Sequence, residues 1–409
     1  MFKKLQYHVN NYKFSLVSIV IILGTVGLVL IQKLQDTDEN QFERQLYGLL
    51  FGLFVMFVVS LIDYHFIAKM FIPIYIGNFI LMMICKYVNY TTFPLIYGWS
   101  HYEARRWIKI GGGGKPGQGF EFMPSEISKL VIIIFTATIL VKFGERMNRF
   151  WNLMLILGLC LLPIYLVFSQ PDLSTSIVLV ATLAFMLYIG GLSYKIVIPT
   201  VVAAIPISYF LFWYIQQPFQ KLLNQYQAPR ILSVLHPEDP KYEKYIYQQN
   251  QAAAAIESGG MFGKMIIGDT SRRMTEYVPV VESDFIFCGI AEEFGFFGCI
   301  ITVFLFMLMT FIGFRVAMNA KDRLGYLIAS GISVMLCLQT IVNIGVVTTL
   351  LPNTGIPLPF VSSGLSSLLI SMATMGVLLN VGLQNKSTLL EKDKYEMDLK
   401  ELLWSKERN

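Results

Sequence analysis

Long apolar runs, separated by short polar segments, recur from one end of this chain to the other. Each is long enough to cross the roughly 30 Å hydrocarbon core of a bilayer as a helix. They predict ten spans, near 14–32, 46–62, 70–88, 126–143, 151–169, 173–191, 194–215, 284–314, 325–350 and 357–382. Two of the polar connections, about 89–125 and 216–283, are far longer than the usual link between helices, and loops of that length tend to bind or catalyse. Within the second, residues 247–264 (YQQNQAAAAIESGGMFGK) read as an amphipathic helix ending at Gly259–Gly260 and resting on the membrane surface. The expected fold is an all-α polytopic membrane protein. One transmembrane domain covers 1–385, and a polar tail, 386–409, forms a short cytoplasmic helix.

Composition agrees. Of 409 residues, 55% are hydrophobic and 14% charged, and the mean hydropathy is +0.57; soluble domains carry about 25% charged residues. The first apolar run is full length and lacks a small-residue cleavage site, so no cleavable signal peptide is expected. Basic residues concentrate before the first span (Lys3, Lys4, Lys13), between spans four and five (Lys142, Arg146, Arg149), between eight and nine (Arg315, Lys321, Arg323) and after the last. By the positive-inside rule these segments and both termini are cytoplasmic, and the two long loops lie outside. The net charge of +5 then reflects topology, not nucleic-acid binding. The five cysteines sit in apolar runs without CxxC spacing and read as small core residues. The four histidines form no HxxxH or HExxH pattern, so no transition-metal site is expected.

The richest segment is EYVPVVESDFIFCGIAEEFGFFG (276–298), which sets Glu282, Asp284, Glu292 and Glu293 at the mouth of, and inside, an apolar helix. An ionised carboxylate in hydrocarbon is costly and normally faces a partner or a wet cavity. Asp284, at the start of the span where water and substrate can reach, is the best candidate for chemistry. In PSEISKL (124–130), Pro124 and Ser125 start a helix and Glu126 lies in its first turn, while Lys129 is either a snorkelling side chain or a buried ammonium paired with an acid. Asp172 of QPDLSTS (170–176) is placed to cap a helix. Gly111–Gly114 with Lys115 reads as a flexible connector, since a phosphate-binding loop needs Ser or Thr after the Lys. Arg105, Arg106, Arg230, Lys264, Arg272 and Arg273 gather on the outer loops and suit a pyrophosphate headgroup.

Taken in order, ARRWI (104–108), PSEISKL, QPDLSTS, RIL (230–232), SGGMFGK (258–264), SDFIF with AEEFG (283–295) and NTGIPLPFVSSGLSS (353–367) resemble the SEDS family of lipid II-polymerising peptidoglycan glycosyltransferases (RodA, FtsW, SpoVE), with a leaning to RodA. The resemblance covers nearly the whole chain. It implies Asp284 as the essential catalytic acid residue, Glu276 as a second functional acid and Lys129 as the partner of the Asp. Arg105, Arg106, Asp172, Arg230, Lys264, Glu282 and Ser366 would form the substrate-binding set. The chain departs from the family at Glu282, where a motif His is missing, and at Ser362–Ser367, which reads SSGLSS.

The reaction so implied is attack of a lipid-linked sugar hydroxyl on C1 of a second lipid-linked sugar, with polyprenyl pyrophosphate leaving. Asp284 would serve as general base, and the arginines, with or without a divalent cation (Mg or Mn), would stabilise the leaving group. Lipid II, the polyprenyl-pyrophosphate-linked glycan and a class B penicillin-binding protein (a transpeptidase) are the implied partners, at the outer face of a bacterial plasma membrane. The rival reading is a lipid II flippase using the same headgroup pocket.

Overall fold

The structure, a computed structural model, describes residues 12–34, 39–89, 91, 93, 95–101, 104–111, 120–217, 220, 223, 227–236 and 238–384. In chain order its helices are α1 (Phe14–Leu34), α2 (Glu39–Ser60), α3 (Tyr64–Lys69) and α4 (Phe71–Tyr87), then α5 (Pro124–Phe143), α6 (Phe150–Ser169), α7 (Leu173–Ile189) and α8 (Tyr194–Ile215). There follow α9 (Ala228–Leu235), α10 (Glu243–Gly259), α11 (Lys264–Ile267), α12 (Ile286–Met318), α13 (Arg323–Val347) and α14 (Leu365–Leu383). Among the described residues eight helices (α1, α2, α5, α6, α8, α12, α13 and α14) are long and apolar enough to cross a membrane, and α4 and α7 are shorter apolar helices. The chain is a multi-pass membrane protein. The tail from 386, with the short helix expected there, lies outside the described residues, as do residues 112–119 of the glycine-rich connector.

Helix ends follow local chemistry. Pro124 occupies the first turn of α5, where its missing N–H costs nothing. Asp172 caps α7 by accepting from the Thr175 amide at 3.3 Å, and Asp322 caps α13 by accepting from Gly325 at 2.7 Å. α2 and α14 pack most closely through glycines: a Cβ at Gly376 would lie 2.7 Å from the Met56 carbonyl oxygen. α8 is the exception in the bundle, with no buried residue.

Two expectations about element boundaries fail. The eighth span begins at Ile286, so Glu282 and Asp284 lie in the turn before α12, not inside it. The last span begins at Leu365, not 357: Pro357, Pro359 and positive φ at Gly355, Phe360 and Gly364 keep the preceding segment out of a helix. That segment is nonetheless buried from Asn353 to Ser362 apart from partial exposure at Gly355 and Pro357. Gly27 of α1 lies flush against it, where a Cβ would come 2.3 Å from the Val361 carbonyl oxygen.

The described parts of the two long connections are folded. The first folds as an antiparallel sheet, β1 (Ile96–His101), β2 (Ala104–Ile110) and β3 (Phe120–Phe122), in the order β1-β2-β3, with Trp99 opposite Trp107 and Ile108 opposite Phe122. Lys109 is buried there, 2.9 Å from Glu121 and over the Trp99 ring. In the second, α10 docks on α12: a Cβ at Gly259 would fall 1.9 Å from the Ala291 carbonyl oxygen. Glu292 fixes the contact. It takes Lys264 Nζ at 2.6 Å, Ser258 Oγ at 3.0 Å and the amides of Met274 and Thr275 at 2.7 and 2.8 Å. Beside it Arg273 grips Glu293 through two nitrogens, at 2.6 and 3.3 Å. Lys264 is therefore a buried partner of a buried acid. Lys264→Met should cost about 3–5 kcal/mol of stability, because it strands Glu292 without its counter-charge. Adding Glu292→Gln should restore part of that. Thermal unfolding in detergent checks it, and an unchanged melting temperature in Lys264→Met would refute the assignment.

At the opposite end of the bundle His65, on α3, bridges Asp63 (2.8 Å) and Asp322 (2.5 Å) and so ties the α2–α3 corner to α13. Only the imidazolium can donate to both. Burial alone would lower the His65 pKa, but the Asp322 and Asp63 carboxylates outweigh it and raise it. Burial likewise opposes ionisation of both acids, yet hydrogen bonds from Gln384, His65 and Gly325 bring their pKa values down. A raised histidine stabilises fully below its unfolded value and loses this as pH rises through its folded one; lowered acids stabilise above theirs. The latch is thus strongest between about pH 4 and 6.5. The wild-type melting temperature should fall as pH rises above that window, and His65→Gln should flatten the dependence. Equal pH slopes for the two proteins would contradict the latch.

Candidate active site

One cavity of about 600 Å³ opens where the two long connections meet the bundle. Arg106, Trp107 and Glu121 reach it from the sheet, Glu126 from the first turn of α5, and Asp172 from the start of α7. Arg230 of α9, Gln248 of α10 and Arg44 of α2 complete the rim, and the turn with Ser283 and Asp284 faces the 353–367 segment across it.

Asp284 is held from several sides. Ser283 Oγ donates to its Oδ1 at 2.8 Å, and Asn343 Nδ2 donates to its backbone oxygen at 2.8 Å. The preceding residues are tied to the last motif, since Ser363 N donates to the Glu282 carbonyl at 2.7 Å and Ser362 Oγ donates to that of Ser283. Gly355, at φ 67°, lies so close that a Cβ there would sit 2.8 Å from Asp284 Oδ2. Burial opposes ionisation of this carboxyl, whereas the Ser283 hydroxyl and the Arg106 and Arg230 guanidiniums favour it.

The two arginines stand on the donor side of the cavity. Arg106 is buried and donates to the Pro171 carbonyl, while its Nε has no hydrogen-bond partner. Arg230 donates to the Asn353 carbonyl at 3.4 Å, and Asn353 in turn donates to Gln248 at 2.8 Å. Asp172 spends one oxygen on its cap and leaves Oδ2 without a partner. Ser366 donates to the Glu121 carbonyl at 3.3 Å.

Of the residues singled out in the sequence, Asp284, Arg106, Asp172, Arg230 and Ser366 line this cavity together. The others stand elsewhere. Lys129 is buried behind the wall, 2.8 Å from Glu126 and donating to Gln339 Oε1 at 2.9 Å, so its ionic partner is Glu126 and not Asp284. Glu276 pairs with Arg272 at 2.7 Å on the half-exposed surface of the second long connection. Arg105 turns away from the cavity toward Asn89 Oδ1, at 2.7 Å, and the Val88 carbonyl, because neighbours on a strand point to opposite faces. Lys264 belongs to Glu292, and Glu282 contributes its backbone rather than its side chain to the turn.

Sequence reading missed Glu121, Arg44, Gln248 and Asn353, and took Glu126 only as a first-turn residue. Glu126 carried a signal, since it lies three positions before Lys129 on one helical face. The rest reach the cavity through tertiary contacts and had none. Among the described residues no three His, Cys, Asp or Glu side chains come close enough to hold a metal ion.

Comparison with known proteins places this geometry. The family model described as "Cell cycle protein", for FtsW, RodA and SpoVE, matches residues 11–387. The probable peptidoglycan glycosyltransferase FtsW of Geobacter sp. (strain M18) is 31% identical over 91% of this chain and 97% of its own. Stage V sporulation protein E of Bacillus subtilis (strain 168) is 33% identical over 90% and 95%. A chain from a solved peptidoglycan synthase complex, described for its coordination of polymerization and crosslinking, superposes with a TM-score of 0.72 at 25% identity, over 91% of this chain and 97% of that one. Relatives named for different cellular roles match about equally, so the leaning to RodA is not distinguished. The chain belongs to the SEDS family, the FtsW, RodA and SpoVE cell cycle proteins.

Proposed function

We propose that this chain polymerises lipid II into glycan strands in the cavity around Asp284, with that carboxylate as general base. The chain is a peptidoglycan glycosyltransferase, as its family and the names of its relatives support. The observation that carries the site assignment is the shared space: one carboxylate, fixed by Ser283 and Asn343, faces the same cavity as two guanidiniums.

The nucleophile is a hydroxyl of one lipid-linked sugar, and it attacks C1 of the other. As the new C–O bond forms, its proton passes to Asp284, and the C1–O bond to the pyrophosphate breaks. Charge then gathers on the leaving pyrophosphate, where Arg106 and Arg230 offer planar donor forks suited to phosphate oxygens. Glu126, paired with Lys129, and Asp172, with its uncommitted oxygen, are placed to accept from sugar hydroxyls. The polyprenyl chains remain in the bilayer beside the apolar helices.

The product is needed outside the cell, so the cavity faces outward and both termini lie in the cytoplasm, in keeping with the basic residues between spans four and five and between eight and nine. A class B penicillin-binding protein, which would crosslink the new strand, is the partner this reading calls for. Its support is the likeness to a chain of a synthase complex that joins polymerization to crosslinking.

Asp284→Asn preserves shape and removes the base. It should fold as the wild type does and lose about 10²–10⁴-fold in the rate of glycan synthesis from lipid II. Near wild-type polymerisation by that variant would overturn the base assignment. Orientation has its own check. Single cysteines at the exposed positions Lys241 and Asn250, in a background without native cysteine, should react with an impermeant maleimide on intact cells. Labelling only after lysis would reverse the topology.

A further inference from the structure

Two buried amides on α13, Gln339 and Asn343, stand one helical turn apart and face the same stretch of the segment before α14. Asn343 Nδ2 donates twice, to the backbone oxygen of Asp284 at 2.8 Å and to that of Ile356 at 2.7 Å. Gln339 Nε2 donates to the next carbonyl, Pro357, at 2.9 Å, while its Oε1 accepts from Lys129 Nζ at 2.9 Å. The residue before Ile356 is Gly355, whose backbone abuts Asp284 Oδ2. Three consecutive residues therefore meet the site in turn: Gly355, where a side chain would collide with the Asp284 carboxylate, Ile356 on the Asn343 amide and Pro357 on the Gln339 amide.

We propose that Gln339 and Asn343 are positioning residues for Asp284. They fix the 355–357 strip against which its carboxylate is aimed, and they carry the influence of Lys129 to a base it does not touch. This rests on the reading of Asp284 as the base.

Of the two ends of an asparagine amide only the NH₂ donates, and it can serve two carbonyl acceptors at once, so the orientation of the Asn343 amide is set by its partners. The same orientation leaves Asn343 Oδ1 buried without a hydrogen-bond partner. What the amide does gain is a rigid link between the turn bearing Asp284 and the strip facing it. Misplacing a catalytic group by about 1 Å can lower turnover about 10²-fold without weakening substrate binding. Gln339 extends the link sideways: Glu126 holds Lys129, Lys129 donates to Gln339, and Gln339 donates to Pro357.

The test is steady-state polymerisation of lipid II by the full chain, with its transpeptidase partner where activity requires it, alongside thermal unfolding. Asn343→Ala should lower kcat by about 10²-fold with KM unchanged; it also strands two buried carbonyls, so the melting temperature should fall and the kinetic split is read on the folded protein. Asn343→Ser, which still donates one bond, should recover part of that kcat. Gln339→Glu keeps the acceptor for Lys129 but loses the donor to Pro357, and should also lower kcat at constant KM. Wild-type kcat in Asn343→Ala overturns the proposal. So does a loss that falls on KM as well as kcat and is not relieved by Ser, because that pattern marks general disruption. If Asn343→Ala is not recovered folded, Asn343→Ser and Gln339→Glu are judged by the same split. Asp284→Asn, run in parallel, separates the two ideas: an active Asp284→Asn sinks the base itself, whereas an inactive Asp284→Asn with a fully active Asn343→Ala sinks only the positioning.

Discussion

Non-helical backbone buried in a protein finds little water to bond with, and its amides and carbonyls must be satisfied by the protein itself. The segment from Asn353 to Gly364 is such backbone, and much of this molecule is arranged to accommodate it. Gln45, Gln339, Asn343 and Ser362 supply hydrogen bonds to it, and Gly27 allows it to lie flush on α1. The turn carrying Asp284 is bound to this same segment through Ser362 and Ser363. The carboxylate is thus placed by the element that most needs the surrounding helices.

The buried charges divide into two sets by what they face. Lys264 with Glu292 and Arg273 with Glu293 fasten the second long connection to α12, and Lys109 with Glu121 joins β2 to β3 within the first. A buried pair gives little net stability over an apolar one, but losing one member is severe, so such pairs act as registers for docking. Asp284, Arg106, Arg230 and Asp172 instead turn toward a cavity large enough for substrate. Glu121 and Glu126 belong to both sets, since each is paired and each lines the cavity. A scaffold would have no use for the second set.

How much of this was legible in the sequence varied with the range of the interaction. Apolar runs gave the helices, because a span must satisfy its own backbone and be apolar along its length. The ordered motifs gave the family. Asp172 as a cap and Pro124 as a helix start were readable because both act within one turn. The three-stranded sheet was not, since each strand is short and its partner lies across a turn or a glycine-rich connector. Lys129 was recognised as buried, but the choice between Glu126, three residues away, and Asp284, on another element, is settled only by tertiary geometry. Lys264 looked like an outer-loop cation; the glycines around it, which permit backbone contact with α12, were the feature that should have suggested burial. Asn343 and Gln339 sat four residues apart in an apolar run, visible but unexplained until the segment opposite them was placed.

On the proposed function, the cavity performs polymerisation rather than transport. The most direct measurement is the product formed when the purified wild-type chain meets lipid II in detergent, where there is no second leaflet to reach. With a class B penicillin-binding protein supplied, glycan strands many disaccharides long should appear. If lipid II stays monomeric with every such partner, while the same chain in vesicles moves it between leaflets, the cavity is a transport site and the account is wrong.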